Sequence, residues 1–375
     1  MGSQTAKVRR RGGRARLWID VLTPRHALFA HSIARVASSF NLECFVTSAN
    51  YPKLQSFISK LGLRNNEPIG KPRADSDLPT IESELERQER LVSFVGREKR
   101  FDFSLSFLSQ EAARVSFGLG IPHFVCADSP HLFKKCKLCL PLAAALFTPF
   151  VIPKTSWIEY GKTGREIARY RGTEPWSWVR DGRVIGRRRK SLRGGKILVI
   201  LDELFRFADE DKRKKLILEV AQSLVKGIKK EWSEDSEIWL FPPHGTRSEI
   251  EREFGSECKI ADYPSDAFFM TFEARIVIGG VGTAIEQAAL QGVPNISFAP
   301  ESGTGNKTPP VFERFYFPKL LSRRAKTLGE LEALLKEMLS RINSEKKMFL
   351  ANAMSATRDF EDPATFVVRS IVSKR

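Results

Sequence analysis

The sequence predicts an α/β fold of two doubly wound parallel-sheet domains facing a cleft, and three features of its 375 residues predict it. Short apolar runs alternate with amphipathic segments through the first half. The second half repeats the alternation, and a tract rich in Arg, Gly and Trp separates the two. Strand and helix in strict alternation imply parallel sheets, because parallel strands need a long crossover and a helix supplies it.

In the first half, residues 17–22 read as an apolar strand. Residues 26–40 carry helical spacing through Leu28, Phe29, Ile33, Val36 and Ala37. A second strand follows at 42–47, an amphipathic helix at 51–63 stopping near Gly62, a weak strand at 68–69 and a charged helix at 81–100. Strand 101–108, helix 110–118 and strand 123–127 complete the series, so that Asp128 stands at a strand's C-terminal end. The apolar tract 138–152 is broken by Pro141 and Pro149 and is shorter than the roughly 20 residues of a membrane span. It reads as a buried helix and strand of the first sheet, with a basic, apolar surface patch for a lipid-linked acceptor as the alternative.

In the second half, 196–201 is almost continuously apolar, as expected of a strand covered on both faces. Helix 216–230, strand 237–241 and short helix 247–254 follow. Residues 274–298 read as strand, glycine turn, helix and strand. Helix 328–342 is amphipathic, and 346–373 is mostly helical. The expected organisation is therefore a basic tail at 1–15, a Rossmann-like domain at 16–170, a basic linker at 171–195, a second Rossmann-like domain at 196–345 and a helical end at 346–375. Ligands of such folds bind beyond the carboxyl ends of the strands.

The composition, 42% hydrophobic and 28% charged, fits a globular protein. No membrane span or signal-peptide core is visible, so the expected location is the cytoplasm, with membrane association as an added reading. The net charge of +17 is concentrated. Residues 1–16 carry six basic side chains and no acid, and 180–196 carry eight with only Asp181. The basicity thus belongs to a tail and a linker, which argues against a nucleic-acid-binding face. These tracts read as solvated; the sharper reading is peripheral contact with an anionic membrane surface or RNA. Five scattered cysteines indicate reduced thiols. Cys136 and Cys139 have metal-like spacing, but a second pair is missing, and no metal is expected.

The turn Gly279-Gly280-Val281-Gly282-Thr283 would place bare backbone N–H groups at a helix N-terminus, a ready phosphate site. Glu286 lies one turn further in. Thr283 and Glu286 also fit a capping box, in which the carboxylate needs no ligand. Gly292 would end the helix, with Pro294 leading to the next strand. The spacing matches neither a dinucleotide fingerprint nor a P-loop.

This segment resembles the C-terminal domain of GT-B enzymes, among them the glycosyltransferase that makes lipid II and the non-hydrolysing UDP-N-acetylglucosamine 2-epimerases. The resemblance implies that Gly280, Gly282 and Thr283 hold a diphosphate and that Glu286 binds a ribose. A second resemblance rests on the runs 18–29 and 109–122: with 274–298, it covers most of 17–339 and points to an archaeal family of uncharacterised GT-B-like proteins. It implies the GT-B fold, with the last helix crossing back to the first domain.

Thr23-Pro24-Arg25-His26 occupies the turn after the first strand. A histidine there can take a proton from an acceptor hydroxyl, and Arg25 can bind phosphate. The alternative is that His26 simply opens the helix. Pro242-Pro243-His244 resembles the Pro-x-His segment of the epimerases, which makes His244 and Arg247 ligand contacts by resemblance. Asp128 is the nearest match to the epimerases' N-terminal acids, with Glu111 behind it. Ser109 reads as a helix cap at the cleft edge. Ser302 lies in the glycine-rich loop that, in GT-B transferases, contacts the donor sugar.

The leading expectation is a nucleotide-sugar-dependent glycosyltransferase of GT-B type. His26, Asp128 and His244 would serve in catalysis, and Arg25, Arg247, Gly280, Gly282, Thr283, Glu286 and Ser302 would hold the nucleotide-sugar. No cofactor is expected beyond that substrate, a UDP-sugar, and the acceptor is left open. The alternatives are an epimerase using His244 with Asp128, and a non-enzymatic protein that binds nucleotide-sugar, RNA or a membrane surface.

Overall fold

The structure, a computed structural model, describes residues 14–71, 80–98, 101–180, 183–184, 187–188, 195–202, 204, 210–231, 237–264, 266–299 and 308–374. Seven strands make the first sheet: β1 (Ala15–Val21), β2 (Leu42–Ala49), β3 (Asn66–Ile69), β4 (Phe103–Ser106), β5 (His123–Cys126), β6 (Ala145–Pro149) and β7 (Ile167–Tyr170). Their order is β3-β2-β1-β4-β5-β6-β7, and every pairing is parallel. A two-stranded antiparallel ribbon, β8 (Arg183–Val184) and β9 (Arg187–Arg188), lies between the sheets in sequence.

The second sheet holds β10 (Lys196–Ile200), β11 (Ile238–Phe241), β12 (Lys259–Ile260), β13 (Ala274–Gly279), β14 (Asn295–Phe298) and β15 (Arg323–Ala325). Its order is β12-β11-β10-β13-β14-β15, again wholly parallel. Each sheet reverses its winding direction once, between β1 and β4 in the first and between β10 and β13 in the second. Connections leave in opposite directions there, so the strand ends open a crevice.

Alternation along β1 explains its burial. Leu17, Ile19 and Val21 face one helical layer, while Trp18 packs with Phe94 and Phe101 in the other, and all four are fully buried. Two strand ends feed capped helices. Thr23 caps the helix Pro24–Ala37, which has proline in its first turn, and Ser109 caps Gln110–Gly118 by accepting from the Ala112 N–H at 3.2 Å. Arg25 and His26 therefore stand on the first turn of a helix, which fixes their backbone far better than a loop would.

The two sheets share one apolar cluster, with Leu17 and Ile19 of β1 in the same core as Leu198, Ile200 and Val277. Phe57 meets Phe268 edge-on at 5.7 Å across the divide. Such aromatic pairs contribute about 0.5–1.5 kcal/mol beyond the area they bury. The start of the expected linker belongs to this core. Trp178, on the short helix Trp176–Val179, is buried and donates its Nε1–H to Gln287 Oε1 at 3.0 Å. The last helix, Pro363–Val372, buries Ala364, Val367, Val368 and Ile371, and its Phe366 ring lies edge-on to Phe147 of β6 and Tyr170 of β7.

The tract 138–152 supplies β6 to the first sheet, one strand in from its β7 edge. Cys136 and Cys139 are buried, and no group of three metal-ligating side chains occurs among the described residues. Among those residues, no helix is long and apolar enough to cross a membrane. The tail at 1–13 and most of the basic tract at 181–194 lie outside the described residues.

Candidate functional site

Arg25 is the hub of the cleft. Its Nη1 donates to Glu286 Oε2 at 2.5 Å, Nη2 to Asp128 Oδ2 at 2.6 Å and Nε to Glu174 Oε2 at 3.0 Å. The partners come from three places: Asp128 follows β5, Glu174 follows β7, and Glu286 belongs to the helix Thr283–Leu290 after β13. The contact with Glu286 joins the first domain to the second. Glu286 is 1% exposed, Glu174 5% and Asp128 15%.

One cation among three carboxylates cannot neutralise them all. Burial, with the other two carboxylates adding to it and Arg25 opposing, pushes Glu286 up to about 8. Burial and Asp128 push Glu174 up to about 7, again against Arg25. Burial disfavours the Arg25 charge, but the three acids outweigh it and hold its pKa well above the usual value. Burial also raises Tyr170 and Tyr316 beside the cluster, so both remain phenols. Tyr316 OH lies 3.1 Å from Thr173 Oγ1, and Ser129 Oγ donates to Asp128 at 2.7 Å.

The capping box expected at Thr283 is not formed. Gly282 is the N-cap, Thr283 begins the helix, and no side chain caps it. The Glu286 N–H makes an ordinary helical bond to Gly282 O at 3.0 Å, leaving its carboxylate for Arg25. The reason is tertiary: a buried carboxylate gains more from a guanidinium than from a backbone N–H at the start of its own helix. Gly282 is extended, with φ −147° and ψ −174°, and the turn sits at the β10/β13 reversal. Gly292 closes the helix at φ +69°, where an added Cβ would lie 2.6 Å from Leu350 Cα.

His26 stacks on Phe107 at 4.8 Å, at the reversal between β1 and β4. Burial, Lys135 and Arg25 together hold it well below its usual pKa, so it is neutral at pH 7. Its Nδ1 accepts from the Leu22 N–H at 3.3 Å. In that tautomer Nε2 carries the proton, which makes the ring a donor rather than the proton acceptor expected from its position. Leu108, next along the same edge, is buried with φ +60°, a conformation bulky residues rarely adopt and one that clusters at functional sites.

The remaining expected residues fare differently. Arg247 is taken up by Glu251 at 2.7 Å and by Asp262 in its own domain, away from the Arg25 cluster. His244 lies in the short turn after β11, but its side chain is outside the described residues, as is Ser302. Glu111 serves a separate buried network: it accepts from Ser109 Oγ at 3.1 Å and lies 3.7 Å from Arg87, which is held by Asp20 at 2.6 Å. Glu174 had no signal in the sequence. It lies in the tract read as a linker, where only the neighbouring Trp176 and Trp178 hint at burial.

Two parallel α/β domains of seven and six strands, with the polar cluster between their strand ends, are the GT-B architecture of glycosyltransferases and UDP-N-acetylglucosamine 2-epimerases. The UDP-GlcNAc 2-epimerase of Methanocaldococcus jannaschii, in complex with UDP-GlcNAc and UDP, is similar over 96% of this chain and 99% of that one, with a TM-score of 0.65 and 14% identity. A Streptomyces sp. SF2575 glycosyltransferase complexed with thymidine diphosphate matches over 96% and 99%, with a TM-score of 0.57 and 14% identity. In sequence, residues 15–187 match the profile of a family described as a protein of unknown function (DUF354). An uncharacterized protein of Methanocaldococcus jannaschii is 23% identical over 305 residues, covering 77% of this chain and 83% of that protein.

Proposed function

We propose that the protein is a nucleotide-sugar-dependent glycosyltransferase whose donor diphosphate sits on the N-terminus of the helix Thr283–Leu290. The observation that carries this reading is the Gly280-Val281-Gly282-Thr283 turn, which opens that helix without a side-chain cap at the β10/β13 reversal, with Glu286 one turn further in meeting Arg25 of the first domain. The uncapped helix N-terminus and its dipole favour the charge that develops on a departing diphosphate. Asp128, the most exposed of the three carboxylates, is the proposed base. It takes the acceptor hydroxyl's proton as that oxygen bonds to the anomeric carbon and the bond to the diphosphate breaks. His26 donates through Nε2 to a ligand oxygen. His244 remains a proposed contact through its turn at the same strand edge, and Ser302 through the loop after β14.

The two solved relatives bind UDP-GlcNAc with UDP and thymidine diphosphate, which supports a pyrimidine-nucleotide donor, and we favour a UDP-sugar. A thermal-shift panel of UDP-, GDP-, ADP- and CDP-sugars tests this. A true donor raises the melting temperature through mass action, and a flat response to all four classes rejects the reading.

One observation favours a second reading, the epimerase. Glu174 and Glu286, held up to about 7 and about 8, are poised to exchange protons near neutral pH. Incubation with UDP-N-acetylglucosamine alone separates the two. Isomerised nucleotide-sugar formed without an acceptor selects the epimerase; unchanged substrate that turns over only with an acceptor selects the transferase.

A further inference from the structure

We propose that Arg25 is an exchangeable counter-ion: an incoming diphosphate takes its Nη1–Nη2 edge from Glu286 and Asp128, while Glu174 keeps Nε and positions the guanidinium. This rests on the nucleotide-sugar reading above. Three features of the geometry lead to it. The Arg25 backbone is anchored in the first turn of a helix capped by Thr23, so only the side chain needs to move. Its bond to Glu174 lies within the first domain and runs through Nε, which leaves the two terminal nitrogens free to change partners together. Glu286 stands one helical turn, about 5.4 Å of rise, from the N–H groups that would hold the diphosphate. A guanidinium that now meets Glu286 therefore needs only a short swing to meet the phosphates, and its planar fork suits them.

Charge balance makes the exchange necessary. A diphosphate entering beside Asp128, Glu174 and Glu286 would be repelled unless the one cation among them turned towards it. Glu286, deprived of Arg25, then holds its proton more tightly. The other groups facing the cluster do not take part: Tyr170, Tyr316 and Cys126 are pushed up by burial and remain protonated, and His26, which also feels Lys135, remains neutral. Above about pH 8, where it is ionised without ligand, Glu286 thus becomes a neutral carboxyl that can both donate to and accept from ribose hydroxyls. Glu174 is the positioning residue of this arrangement.

The sign of the linkage follows. Arg25 lowers the pKa of Glu286, so its departure raises it and nucleotide binding takes up a proton. Uptake is largest above about pH 8, where the unliganded carboxyl is ionised, and fades towards pH 6, where it is already protonated. The test is calorimetric titration of the full chain with UDP, at pH 6.0, 7.0 and 8.5, in pairs of buffers differing in ionisation enthalpy. The expected result is uptake approaching one proton at pH 8.5, where UDP itself is fully ionised, and no uptake by Glu286 at pH 6.0, where the terminal phosphate of UDP, with a pKa of about 6, exchanges its own proton. Glu286→Gln should abolish the uptake. Glu174→Gln should weaken UDP binding about tenfold, the worth of one charge-assisted hydrogen bond, and leave the uptake in place. Binding of UDP with no net proton uptake at pH 8.5 would show Arg25 to be a fixed bridge and overturn the proposal. No binding of UDP at all would instead remove the nucleotide reading on which it stands. The wild-type titration decides even if a variant fails to fold.

Discussion

The two reversals of winding direction, one in each sheet, are built in opposite ways. The β1/β4 edge presents side chains: Arg25 and His26 lead the helix after β1, and the strained Leu108 follows β4. The β10/β13 edge presents backbone, a glycine turn opening a helix with no side-chain cap. Glu286 is the carboxylate that the second edge lends to Arg25. The difference teaches a division of labour: the backbone edge suits a ligand of fixed shape and charge, and the side-chain edge suits groups that must move protons or change partners.

The comparison breaks most visibly at Arg25. Arg25→Ala leaves buried Glu174 and Glu286, and half-buried Asp128, without a counter-ion and should cost about 3–5 kcal/mol in denaturant unfolding. A loss near zero would mean that the acids simply protonate and that the hub is dispensable. The pH dependence probes the same edge more gently. Carboxyls whose folded pKa is raised stabilise the fold below their unfolded pKa, and that stability is lost as pH rises through about 7 and 8. His26 and His123, both lowered, act in the opposite direction but only below about 6.5. Between pH 6.5 and 8.5 stability should therefore fall, by up to about 1.4 kcal/mol per pH unit for each proton lost, and Glu286→Gln should flatten the decline.

The far end of the helix that the backbone edge opens is tested by Gly292→Ala. It forces a side chain into φ +69° and against Leu350, at a cost above about 1 kcal/mol in the same unfolding measurement. The smallest effect is expected at Arg247, whose partners are exposed. Arg247→Ala should change stability by less than about 0.5 kcal/mol. A large loss of nucleotide affinity in that variant would extend the ligand site beyond the two edges.

The backbone edge was legible in the sequence because its signal is local: three glycines, a strand before and a helix after. Arg25, Asp128 and Glu286 were each visible as polar residues near strand or helix ends. Their convergence was not, because the partners lie 103 and 261 residues from Arg25. Glu174, 149 residues away, was hidden in a tract whose arginines read as a spacer. The capping box misled because local pattern cannot weigh a distant guanidinium. β12 and β15, two and three residues long, carry no apolar run of their own and exist through pairing with β11 and β14.

The central claim, that a donor diphosphate sits at the N-terminus of the helix Thr283–Leu290, is tested most directly by Gly282→Asp. Position 282 is extended, a conformation open to L-residues, and aspartate is a preferred N-cap. The variant should fold at least as stably as wild type while placing a negative charge where the phosphates belong. Calorimetric titration with UDP should show binding by the wild type and none by Gly282→Asp; equal binding by both would contradict the account.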